Sequence, residues 1–242
     1  MPLTDVALVA LWCIGPPLVL MAFVCTRQPC RGEAVKLVSV AFLAGVVGAA
    51  LAFFAFEALA RVAIYRPFMD GQLAGSRAMT LFLLVVVGPV EEVVKLAAFT
   101  VAFRGRRAPS APRAAIMLMT ATSLGFAAAE NWYAMYVTGP DAGRAAIIPF
   151  VHMLFSSFVG WGLARSASTR GGRGAVYLGL LLASAYHGLY DVLEFRGGWW
   201  HFATLPLVVL LWFFLTRNLR GGERVLPDEA AGLGRDTRIR RS

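Results

Sequence analysis

Gly88-Pro89-Val90-Glu91-Glu92-Val93-Val94-Lys95 sets two adjacent carboxylates and a lysine inside a run that is otherwise uncharged and mostly apolar from Met79 to Phe103. A run of about 25 such residues crosses a bilayer, where one central ionisable side chain costs roughly 2.5–3.5 kcal/mol. Three of them within five positions need a reason. On a helix Glu91 and Lys95 share a face at i,i+4, Glu92 and Lys95 are three apart, and the glutamates point about 100° from each other. One glutamate can pair with the lysine while the other stays available. Pro89 has no N–H and its ring crowds the carbonyl of Val85, so the helix should loosen one turn before the carboxylates, with Gly88 adding freedom and a way in for water.

The rest of the chain follows from this span. The 242 residues are 58% hydrophobic and 15% charged, with a mean hydropathy of +0.66. That composition belongs to polytopic membrane proteins and leaves no room for a separate water-soluble domain. The fold class it implies is all-α, a membrane helical bundle of about seven transmembrane helices. They are expected near 5–25, 35–60, 79–103, 114–136, 146–164, 175–195 and 200–216. With the N-terminus outside, seventeen Lys and Arg fall on inside segments and five on outside ones, Lys95 in the membrane completing the 23. That asymmetry predicts N-out/C-in and a multi-pass protein of the cell membrane. The +9 formal charge is then a topology signal, and nucleic acid is not an expected partner.

The segment before the first span, Met1 to Asp5, holds no basic residue, so that span is expected to remain as a helix rather than leave as a signal peptide. Cys13, Cys25 and Cys30 are odd in number and lack a CxxC spacing, so neither a disulfide framework nor a zinc knot is implied. The loop from Arg61 to Arg77, with Pro67, Gly71 and Gly75, reads as external with a short interfacial helix.

Further polar groups lie in the next three spans. Phe126 and Glu130 share a face, the alanines between them allow close helix approach, and Asn131 follows. The fifth span opens with Pro149 near its first turn and then carries His152. In the sixth, His187 and Asp191 share a face at i,i+4. At about 1.5 Å rise per residue, Glu91, Glu130, His152, His187 and Asp191 all fall in the middle-to-outer half of the membrane. Each alone has an ordinary packing explanation. Together they would cost on the order of 10 kcal/mol unless they satisfy one another.

Such a set suits activation of water for attack on a carbonyl, because two carboxylates in unlike surroundings can act as base and acid. Two routes stay open. In one, His152, His187 and a glutamate (Glu92) or Asp191 hold Zn2+ and the remaining glutamate is the base. In the other no metal takes part: a glutamate with a histidine activates water, His187 donates to the oxyanion and Asp191 fixes its tautomer. The chain has no HExxH, which favours the second route. A proton-coupled transporter or channel is the rival from another class, and a non-catalytic membrane scaffold a third; no internal duplication of the kind transporters show is visible.

Gly88-Pro-Val-Glu-Glu-Val-Val-Lys95, Phe126-Ala-Ala-Ala-Glu130-Asn131, Arg144 leading to His152-Met-Leu-Phe, and His187-Gly-Leu-Tyr-Asp191 resemble, in order and spacing, the motifs of the PrsW family of intramembrane proteases. That family is similar in turn to the CAAX-prenyl-protease and bacteriocin-processing superfamily. The resemblance covers roughly residues 80 to 195, within a single transmembrane domain expected over residues 1–216, and implies Glu91, Glu92, Glu130, His152, His187 and Asp191 as a catalytic set with Lys95 and Asn131 in support. It also implies cleavage of a single-pass, membrane-anchored protein, in the best-known members an anti-sigma factor cut on its extracytoplasmic side. The basic segment 217–242 matches no family motif and is expected to be a disordered cytoplasmic tail able to meet anionic lipid.

Overall fold

The computed structural model describes residues 3–26, 33–70, 72–73, 75–105, 112–168 and 172–220, and no strand occurs among them. The helices are α1 (Leu3–Thr26), α2 (Glu33–Ala60), α3 (Arg66–Met69), α4 (Arg77–Phe82), α5 (Gly88–Ala102), α6 (Pro112–Thr138), α7 (Ala142–Ser168), α8 (Arg173–Arg196) and α9 (Trp200–Arg220). Five of them, α1, α2, α7, α8 and α9, are long and apolar enough to cross a membrane. The third and fourth expected spans are helical as well but fall outside those five. The third is interrupted between α4 and α5, and α6 buries Thr120, Thr122, Ser123 and Asn131 along its length.

α6 is the axis of the bundle. Leu118, Met119 and Leu124 on it are buried in one apolar core with Leu154, Phe155 and Val159 of α7, Ala183 of α8 and Leu211 and Leu215 of α9. α2 closes on α6 at two glycines: a Cβ on Gly45 would run into the Thr122 carbonyl, and one on Gly125 into the Phe42 carbonyl. Such contact lets helices associate by van der Waals packing where lipid supplies no hydrophobic drive. α1 lies against α6 and α7, with Val9 and Cys13 buried beside Met135 and Ala145, and its Phe23 ring stacks on Trp212 of α9 at 5.3 Å.

Between α4 and α5 the helix widens into a π turn over Leu83–Val87, where the Gly88 N–H reaches back to the Leu83 carbonyl. Pro89, lacking an N–H, stands one residue later, so the loosening expected from the sequence takes the form of one extra residue in the turn ahead of the carboxylates. A short helix falls between Arg61 and Arg77, as expected: it is α3, with Phe68 stacked on Phe82 at 4.7 Å.

One local expectation needs correction. α7 begins at Ala142, so Pro149 lies inside the helix rather than in its first turn. The cause is Asp141, whose Oδ1 accepts the Arg144 N–H at 3.0 Å and starts the helix early. α9 continues to Arg220, so the first residues assigned to the basic tail are helical. The remainder of that tail and Cys30 lie outside the described residues.

Candidate functional site

The polar residues of four helices meet around one cavity of about 460 Å³. Glu91 of α5, Glu130 of α6, His152 of α7 and His187 and Asp191 of α8 line it. Its walls are apolar, including Leu83 and Val87 of the π turn, Ile148, Val151 and Phe155, and Asp141, Arg144 and Glu194 stand on it from the ends of their helices. The groups aligned by depth in the sequence therefore do converge.

The glutamates take unlike positions. Glu92 is fully buried and committed: Oε1 accepts from Lys95 Nζ at 2.6 Å and lies 3.0 Å from His187 Nδ1, while Oε2 accepts from Ser156 Oγ at 3.0 Å. Glu91 faces the cavity, and its Oε2 is buried without a hydrogen-bond partner. His187 Nε2 stands 3.6 Å and Lys95 Nζ 3.8 Å from Glu91 Oε2. Adjacent residues on a helix point about 100° apart, which is how one carboxylate is spent on Lys95 and the other left over.

Lys95 is fully buried, 2.7 Å from His152 Nδ1 and 4.5 Å from the centre of the Phe126 ring. His152 Nε2 lies 3.0 Å from Glu130 Oε2. Glu130 Oε1 accepts from Arg144 Nη2 at 2.6 Å. The ring of His187 stacks on Phe155, with centres 4.9 Å apart. Asp191 Oδ2 is 3.7 Å from His187 Nε2, beyond hydrogen-bond reach. The carboxylate at bonding distance from His187 is thus Glu92 on the neighbouring helix, rather than the Asp191 expected from i,i+4 spacing. Asn131 stands behind the site, its Nδ2 3.5 Å from the Arg144 carbonyl.

Three contributors were not singled out from the sequence as site residues: Arg144, Ser156 and Phe155. Ser156 carried a signal, since it sits four residues after His152 on one face of α7. Arg144 had the acid Glu130 as its natural counter-charge, although the two are joined only by the packing of α6 on α7.

Atoms of Glu91, His152 and His187 that can ligate a metal lie within 4.8 Å of one another. The composition is that of a three-ligand catalytic zinc centre, with Glu91 rather than Glu92 in the set. Glu91 fits a cation, because its buried Oε2 makes no hydrogen bond. His152 does not fit: Lys95 Nζ stands at its Nδ1, and an ammonium offers only donors. A positive charge 2.7 Å from the ring also opposes a metal ion on it.

The bundle, with five helices long and apolar enough to cross a membrane and a buried acid–imidazole cluster, has the make-up of a polytopic membrane protein. A model described as PrsW family intramembrane metalloprotease matches residues 33–216, and the chain belongs to that family of membrane proteases. No curated protein and no solved structure gave a significant match to the chain.

Proposed function

We propose that the chain is an endopeptidase that hydrolyses a peptide bond in or near the transmembrane segment of a single-pass membrane protein, with Glu91 activating the water. The observation that carries this reading is Glu91, which lines the cavity with its buried Oε2 free of hydrogen bonds and 3.6 Å from His187 Nε2. A water placed between that oxygen and a carbonyl carbon gives its proton to Glu91 as its oxygen attacks. The tetrahedral intermediate collapses when the leaving amine takes the proton back from Glu91. Glu92, held by Lys95 and Ser156, keeps His187 in place. Metal coordination, as the family description names it, would supply Lewis-acid polarisation of the carbonyl; Glu91 and His187 have the donor types for it, His152 the wrong neighbour.

In this reading all seven long helical segments cross the membrane, N-out/C-in, and the cavity opens toward the outer leaflet. An extracytoplasmic segment of an anti-sigma factor is one substrate of the required kind, and the basic residues after α9 meet anionic lipid on the inner face. The test is cleavage of a single-pass substrate by full-length protein in liposomes, with Glu91→Ala, Glu92→Ala and His187→Ala made separately. Loss in each supports the assignment. Undiminished cleavage by all three removes it, and proton flux without turnover would put a transporter in its place.

A further inference from the structure

The cavity wall carries more negative charge than the chain neutralises. Glu91, Glu130, Asp141, Asp191 and Glu194 line it, against the single arginine Arg144 and no lysine. Arg144 is taken up by Glu130 at 2.6 Å, and Lys95, behind the wall, has Glu92 at 2.6 Å. The excess lies along α8. Asp191 Oδ2 has His187 Nε2 at 3.7 Å and, among the described residues, no lysine or arginine in ion-pair range. Glu194 Oε2 has His201 Nδ1 at 2.9 Å, an exposed pair that is ionic only when the imidazole is protonated. Arg196 is engaged elsewhere, its guanidinium 5.1 Å from the Trp200 ring centre and its Nη2 3.4 Å from Thr80 Oγ1.

His187, Tyr190, Asp191 and Glu194 stand at i, i+3, i+4 and i+7, so they form one stripe of α8, and all four line the cavity. Tyr190 supplies a second, separate observation. It is 5% exposed, yet among the described residues its hydroxyl makes no hydrogen bond. A buried tyrosine hydroxyl ordinarily has a partner, so this one is left for whatever enters the cavity.

We propose that the stripe from Tyr190 to Glu194 is a subsite for a cationic side chain, and that the substrate is a peptide with a lysine or arginine on the extracytoplasmic side of the scissile bond, within about three residues of it. The proposal rests on the hydrolytic reading above and names the substrate class of that same site.

The spacing follows from the helix. Asp191 and Glu194 lie about 6 and 10 Å beyond His187 along α8, and an extended peptide covers about 3.3 Å per residue. In the orientation proposed above α8 runs outward, so the stripe leads from the reacting groups to the outer mouth. An ammonium or guanidinium suits it because it offers only donors, to the two carboxylates and to the Tyr190 oxygen. Its methylene stem can lie along the rings of Tyr190 and Phe195, which also lines the cavity. A metal ion suits it less: among the described residues the group spaced for one is Glu91, His152 and His187, without Asp191 or Glu194. An acidic side chain would bring a further carboxylate to a wall already in excess.

The experiment uses full-length protein in liposomes and a series of single-pass peptides, with Lys, Gln or Glu placed in turn at each of the three positions outside the scissile bond. At one position kcat/KM should rank Lys over Gln by about 10–100-fold, the size of a charge-assisted hydrogen bond, with Glu lowest. Asp191→Asn with Glu194→Gln should remove that ratio, and Glu194→Lys should turn it toward Glu. The ratio, rather than the rate, is the readout, since a merely structural loss slows all three peptides alike. Equal turnover of Lys, Gln and Glu peptides at every position by the wild type overturns the proposal even if the variants fail to fold, and so does an undiminished ratio in the double variant. Binding of the same peptides to Glu91→Gln separates the two readings. Tighter binding of the Lys peptide, with no cleavage of any peptide by the wild type, would keep the cationic subsite and sink the hydrolytic reading; equal binding of all three would sink the subsite.

Discussion

Gly88 of α5 and Gly188 of α8 pack backbone against backbone. A Cβ on Gly88 would lie 2.8 Å from the Gly188 nitrogen and 2.7 Å from the Ser184 carbonyl oxygen, and one on Gly188 would lie 2.7 Å from the Leu83 carbonyl oxygen. Gly188 adjoins His187 and Gly88 precedes Glu91 by one turn, so this contact sets the distance across which His187 meets the glutamates. Gly188→Ala must therefore push α8 away from the π turn. The expected cost is about 1–3 kcal/mol of stability, the usual range for overpacking. Cleavage should fall by at least about tenfold, a loss of roughly 1.4 kcal/mol in the barrier. Thermal unfolding in detergent and the liposome cleavage assay measure the two, and wild-type values for both would mean that the close approach is not needed.

Glu91 and Glu92 should separate cleanly on neutralisation. Glu91→Gln removes a carboxylate that has no hydrogen bond at Oε2, so folding should be unharmed while cleavage drops about 10²–10⁴-fold, as for loss of a general base. Glu92→Gln leaves the fully buried Lys95 without its 2.6 Å partner and should cost about 3–5 kcal/mol. Paired melting and cleavage curves test this. Equal stability losses in the two variants would contradict the division of labour.

Much of this was readable in the chain because helical spacing is local. That one of the two glutamates pairs with Lys95 and that the helix loosens ahead of Pro89 follow from backbone geometry, and both are found, the closer pair being Glu92–Lys95. Convergence of four helices was legible only as a common depth, since height along a helix is a property of sequence whereas its rotation is set by packing. That is why His187 finds Glu92 at 3.0 Å and not Asp191. It is also why Lys95 reaches His152, 57 positions away. Pro149 misled for a different reason: proline tolerates a first turn, but the Asp141 cap decides where the turn begins.

Arg144 and Glu130 form a pair at 2.6 Å whose side chains stay 31% and 29% exposed. Surface-like screening makes its contribution to stability small. Its effect should lie in holding Glu130 3.0 Å from His152 Nε2. Arg144→Met and Glu130→Gln are expected to lower kcat/KM by similar factors and to be non-additive in the double variant, with a coupling of about 0.5–3 kcal/mol. Additive losses would show that the two act separately.

Metal dependence divides the two chemical routes, and the Lys95–His152 contact at 2.7 Å bears on it directly. A cationic donor on one ligand of three leaves Glu91 and His187 as the remaining donors, fewer than the three protein ligands of catalytic zinc sites. Purified, active protein is therefore expected to hold less than one equivalent of transition metal and to keep its turnover after dialysis against a strong chelator. Elemental analysis on the same samples used for the cleavage assay makes the comparison direct. Stoichiometric zinc, with activity lost on chelation and restored by the ion alone, would require Lys95 to leave His152 in the working enzyme. Lys95→Met would then bind the metal more tightly than wild type, because it removes the competing charge while leaving all three ligands in place.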